Sequence, residues 1–85
     1  MKAVVNYALE TDSVELRDVP EPKAGVGEIV MEVDTVSVCG SDLHQWKGAH
    51  SWPVNYPVIL GHEFAGKVAQ VGQEVNGFAE GDRVT

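Results

Sequence analysis

The amino-acid sequence predicts a mainly β fold, a small and partly open β-barrel. Three observations carry that expectation. Short apolar stretches alternate with period two, turn residues separate them, and there is neither a heptad pattern nor a long amphipathic helix.

In the first stretch Ala3, Val5 and Tyr7 alternate with other positions, and Val14 and Leu16 do so beyond the polar interval Glu10-Thr11-Asp12-Ser13. The pattern predicts a hairpin of half-buried strands with a loose turn. Pro20 and Pro22 end the second strand, because proline has no N–H to give to a ladder. Lys23 to Gly27 reads as loop. Within it, Gly25-Val26-Gly27 precedes a strand and lacks a third glycine, so it is no dinucleotide fingerprint.

Glu28 to Val38 is the longest strand candidate. Ile29, Met31 and Val33 share one face, but the apolar phase then slips to Val36 and Val38. Either both faces become buried there or a bulge intervenes. Ser41 to Trp46 predicts a short helical turn capped by Ser41 or Asp42. Lys47 to Tyr56 reads as loop, with Pro53 and Pro57 as punctuation. Phe64 to Val71 is strand-like, and Gly66 inside it predicts close approach by another backbone. Gly72, Gly77 and Gly81 mark turns, and Arg83-Val84 begins a further strand. The sequence stops at Thr85 within that strand, which reads as a domain cut short.

Composition narrows the function classes. The net charge is −7, from 13 acids against 6 bases. Such a surface repels phosphate backbones, which argues against nucleic acid as a partner. The acids are scattered rather than run together, as on a solvated surface. One cysteine, Cys39, excludes an intrachain disulfide. No charged-then-apolar leader and no apolar run of membrane-spanning length occur, so the expectation is a soluble, cytoplasmic protein without a membrane partner. Eighty-five residues make one small domain of marginal stability unless a metal or a partner surface supports it.

The chemistry-bearing residues are Cys39, His62 and Glu63. Zinc prefers cysteine sulfur and histidine nitrogen, with carboxylate oxygen as a third choice. Ligands far apart in sequence imply a site assembled by the fold rather than a local finger. By themselves, a single Cys and His are more often a buried thiol and a surface imidazole.

The runs Cys39-Gly40-Ser41-Asp42-Leu43-His44 and Gly61-His62-Glu63-Phe64-Ala65-Gly66, then Val71-Gly72 and Gly81-Asp82-Arg83-Val84, change that reading. In order and spacing the chain resembles the zinc-dependent medium-chain dehydrogenases of the alcohol, polyol and threonine type, over the N-terminal part of their GroES-like catalytic domain. The resemblance implies Cys39 and His62 as zinc ligands, and Glu63 as a carboxylate that lies beside the metal or binds it. It implies Asp42 as acceptor of a hydrogen bond from the ligand histidine, which would fix the ring's tautomer. Ser41 and His44 match a proton relay from the substrate hydroxyl to solvent. His50 carries no implied role. Trp46 and Tyr56 either wall a substrate pocket or fill a satellite core.

The activity implied is hydride transfer from an alcohol or polyol carbon to NAD or NADP, with zinc as Lewis acid on the substrate oxygen. The nicotinamide cofactor would sit on a Rossmann domain, and the third zinc ligand, a Cys or Glu, would follow Thr85, as would any four-cysteine structural zinc lobe. These 85 residues alone are then expected to be inactive, and the whole enzyme to be a homo-oligomer, dimer or tetramer. Two rivals remain: a metal-free GroES-like structural or protein-interaction module, and a zinc-free quinone reductase. The ligand cysteine and histidine argue against the second.

Overall fold

A computed structural model describes all residues from Met1 to Thr85. Six strands and one helix follow in order: β1 (Lys2–Asn6), β2 (Val14–Asp18), β3 (Ile29–Ser37), α1 (Gly40–Lys47), β4 (Val58–Ile59), β5 (Glu63–Val71) and β6 (Arg83–Val84). The strands form two open three-stranded sheets, ordered β2-β1-β4 and β3-β5-β6. The mainly β expectation therefore holds. The chain divides into two units, one of Met1–Pro20 with Ser37–His62, the other of Glu21–Val36 with Glu63–Thr85. No helix is long and apolar enough to cross a membrane.

The first unit is built on the expected hairpin. β1 and β2 pair antiparallel, with Ala3 opposite Arg17, Val4 opposite Leu16 and Val5 opposite Glu15. Ala3 and Val5 point inward and are buried, as their alternation requires. Two expectations fail at the edges of the pattern. Leu16 lies opposite Val4 on the outer face and is 66% exposed. Tyr7 falls one residue past the end of β1, and its ring lies 5.1 Å under the Arg17 guanidinium. Asn6 takes the buried place instead: its Nδ2 donates to Ser13 O at 2.8 Å and to Ala8 O at 3.2 Å. A wholly buried amide is stable only with such partners, and these two draw the turn together. On its other edge β1 pairs with β4 through Val5 and Ile59, and Asn6 and Val58. A two-residue strand leaves no periodic signal in the sequence.

The second unit rests on β5. Gly66 is buried, and a Cβ added to it would lie 1.9 Å from the Glu32 carbonyl oxygen. The expected close approach is real: backbone of β3 occupies the space a side chain would need. Val68 is the buried apolar residue of this strand. β6 pairs antiparallel with β5, Val84 opposite Gly66 and Arg83 opposite Lys67, so the final strand is paired. β3 runs unbroken over nine residues. Its phase slip does not bury both faces, because Val33 and Val36 are 51% and 59% exposed and Val38, just beyond the strand, 85%. The Gly25-Val26-Gly27 turn leads directly into the strand β3.

Replacing Gly66 by alanine is expected to destabilise the protein by about 2–3 kcal/mol, because the added methyl meets backbone that cannot rotate away. Urea unfolding of the two proteins measures it, and an unchanged midpoint would contradict the close approach.

Candidate metal centre

Cys39 ends the stretch after β3 and serves as the N-cap of α1, with extended backbone angles (φ −95°, ψ 158°). The cap is therefore two residues earlier than Ser41 and three earlier than Asp42, the residues expected to supply it. Asp42 still caps the helix, but from inside: as the third helical residue it reaches back, and its Oδ2 accepts the Cys39 N–H at 3.0 Å. A carboxylate in the first turn also suits the positive end of the helix dipole.

The second oxygen of the same carboxylate faces His62. Asp42 Oδ1 lies 3.4 Å from His62 Nδ1, and the Asp42 side chain is only 14% exposed while the imidazole is 52% exposed. A carboxylate only accepts, so a proton on Nδ1 is the arrangement that would let the ring donate to Asp42. That tautomer leaves the Nε2 lone pair on the opposite edge of the ring, where Ser41 Oγ stands 3.4 Å away. Ser41 and Asp42 are neighbours on α1, so one short helical segment addresses both nitrogens of His62.

Cys39 and His62 are remote along the chain, yet each offers a ligand atom and these atoms lie within 4.8 Å of one another. A thiol sulfur and an imidazole nitrogen at that spacing are the donor types zinc prefers. They fit one tetrahedral ion better than a hard cation, which would call for oxygen donors. Cys39 is partly buried and His62 is open to solvent, so the pair is accessible to a small molecule. Glu63 follows His62 directly, opens β5 and is exposed. His44 lies in the last turn of α1, three residues after Ser41, and is exposed.

Trp46 lies within α1 and Tyr56 in the segment that follows it. Trp46 does not lie in a core: its Nε1 donates to Asp12 Oδ1 at 3.1 Å and the residue is 38% exposed. Tyr56 donates its hydroxyl to His50 Nε2 at 2.8 Å, while His50 Nδ1 donates to the Trp52 carbonyl at 2.8 Å. The His50 ring also stacks on Trp52, centroids 5.0 Å apart. His50 is thus the organiser of its loop, a role sequence reasoning missed. A histidine within six residues of two aromatics, Trp52 and Tyr56, was the available signal.

Comparison with known proteins identifies the family. The family model described as the alcohol dehydrogenase GroES-like domain matches residues 25–85. The chain is 42% identical over 85 residues to a sorbitol dehydrogenase of Halalkalibacterium halodurans, covering 100% of this chain and 24% of that one. It is 41% identical over 87 residues to an L-threonine 3-dehydrogenase of Streptomyces avermitilis, covering 100% and 25%. A solved NAD-dependent alcohol dehydrogenase superposes with a TM-score of 0.87 at 33% identity, covering 98% of this chain and 24% of that one. The chain thus spans about a quarter of the length of these relatives. With its family model matched over residues 25–85, the chain belongs to the alcohol dehydrogenase GroES-like domain family.

Proposed function

We propose that this chain forms the metal-binding, proton-handling part of a zinc- and NAD(P)-dependent oxidoreductase that takes hydride from an alcohol or polyol carbon. The observation that carries the proposal is the convergence of Cys39 and His62 within 4.8 Å, with the Asp42 carboxylate behind the ring. The names of the relatives, a sorbitol, a threonine and an alcohol dehydrogenase, support the substrate class.

Cys39 Sγ and His62 Nε2 would hold the zinc, and Glu63, next in the chain, would supply a carboxylate beside it. Bound there, zinc supplies Lewis-acid chemistry at the substrate oxygen. The rest falls to the chain's own residues. Asp42 holds the imidazole in the tautomer that turns Nε2 toward the site, and at the same time holds the Cys39 backbone through its N–H. Ser41 Oγ, beside Nε2, would accept the proton of the substrate hydroxyl while releasing its own toward His44, so that it stays a neutral hydroxyl. His44 sits three positions along the same helical face and is exposed, which suits it to pass that proton to water. The exposed edge of His62 gives a small alcohol access. A net charge of −7 disfavours nucleic acid, and the reading includes a cytoplasmic homo-oligomer acting on a small molecule.

A metal-free structural module is the rival. It has no need of a carboxylate that divides its oxygens between a cysteine backbone and a histidine ring.

In the full-length enzyme Cys39→Ser is expected to remove the zinc held at this position and reduce activity to background; zinc content by atomic absorption and steady-state turnover check it. Asp42→Ala should weaken zinc binding about 10–100-fold, the usual cost of losing a carboxylate behind a ligand histidine. Competition with a chelator measures that, and unchanged affinity would deny Asp42 its role. His44→Ala should lower kcat increasingly as pH falls, since proton release to water is then the harder step; a loss equal at every pH would exclude the relay.

A further inference from the structure

Helix α1 carries Ser41 and Asp42 near its start and finishes on carbonyls that it cannot satisfy itself. An α-helix leaves its last four C=O groups without intrahelical donors. Here each of the four has one. Ala49 N–H donates to His44 O at 3.0 Å and Gly48 N–H to Gln45 O at 3.1 Å, a local cap in which Gly48 takes the left-handed conformation at φ 69°. The other two donors come from the β1–β2 turn, distant in sequence. Asp12 N–H donates to Trp46 O at 2.9 Å, and Thr11 Oγ1 donates to Lys47 O at 2.6 Å.

Side chains repeat the attachment. Trp46 Nε1 donates to Asp12 Oδ1 at 3.1 Å, and Gln45 Nε2 donates to the buried Asn6 Oδ1 at 3.3 Å. The turn lies so close that a Cβ on Gly48 would fall 1.9 Å from the Leu9 carbonyl oxygen. Asp12 itself has φ 65°, a conformation unusual outside glycine and one that persists where surrounding bonds enforce it.

We propose that the β1–β2 turn is a positioning device for the metal centre, in which Thr11 and Asp12 fix the C-terminal end of α1 and so set where Ser41 and Asp42 meet His62. This rests on the reading of Cys39 and His62 as metal ligands. An eight-residue helix is about 12 Å long and stiff along its axis, so a shift at one end appears at the other. Ser41 and Asp42 both stand 3.4 Å from a His62 nitrogen, at the outer edge of hydrogen-bond range. A slide of a few tenths of an ångström therefore decides whether either contact survives. Thr11 and Asp12 act through the helix and are positioning residues.

The test uses the full-length enzyme with cobalt(II) in place of zinc, whose visible bands report ligand geometry and whose thiolate band reports Cys39. Thr11→Val removes the donor to Lys47 O while keeping the side chain's shape. It is expected to shift the cobalt bands and lower kcat roughly two- to thirtyfold, with the KM for the nicotinamide cofactor unchanged. Thr11→Ser, which keeps the hydroxyl, should restore both. Trp46→Phe, which removes only the bond to Asp12, should move both readouts in the same direction and serves if Thr11→Val does not fold. Lys2→Ala, which breaks an exposed ion pair with Asp18 at the open end of the hairpin, should move neither. If Thr11→Val and Trp46→Phe lower only the melting temperature, with spectrum and kcat at wild-type values, the positioning role is overturned. A thiolate band that persists in Cys39→Ser would overturn the metal-centre reading, and this proposal with it; a band lost there but unmoved by Thr11→Val overturns the positioning role alone.

Discussion

The Asp42 carboxylate, almost enclosed, uses its two oxygens on two parts of the chain that sequence keeps far apart. One accepts the Cys39 N–H at the start of α1, the other faces the Nδ1 edge of His62. A carboxylate this poorly solvated is costly unless its lone pairs are occupied, and here the partners that occupy them are the two residues whose side chains carry the donor atoms. Capping a helix, holding the cysteine backbone and orienting the imidazole are thus one interaction. A conservative view of Asp42 as a mere helix cap and a functional view of it as a partner of the candidate ligand His62 describe the same geometry.

Everything that positions this carboxylate passes through α1. The helix buries no side chain, so packing of an apolar face does not hold it. Its place is set at the ends: by Asp42 and Cys39 at the first turn, and by donors from the β1–β2 turn at the last. Asn6 links the two scales, since its buried amide closes the hairpin turn and also accepts from Gln45 on the helix. A site on a rigid short element held by directional bonds keeps its geometry better than one on a free loop. The following segment has an order of its own, with His50 bonded through both ring nitrogens and stacked on Trp52.

The strands were legible wherever alternation was backed by punctuation. The hairpin, β3 and β5 follow from period two, and Gly66 announced the close approach that its Cβ would violate. What period two could not reveal was the register at the margins. Tyr7 and Leu16 continue the apolar pattern, but the ladder ends at Asn6 and turns Leu16 outward. β4 is two residues long and pairs only with the edge of β1, too short for any periodic signal. The helix was visible, its cap was misplaced: Cys39 is not a usual capping type, and Asp42 acts from the third helical position, its carboxylate accepting the N–H of the cap residue itself. The candidate ligands could be named from sequence only through resemblance. That Asp42 joins them by both oxygens needed coordinates.

The most direct measurement is nitrogen NMR of the His62 ring in the zinc-loaded enzyme, since it reads which nitrogen carries the proton and which meets the metal. The account predicts a proton on Nδ1, toward Asp42, and a metal-shifted resonance for Nε2 that reverts when zinc is removed. A proton on Nε2, or two ring nitrogens indifferent to zinc, would contradict it.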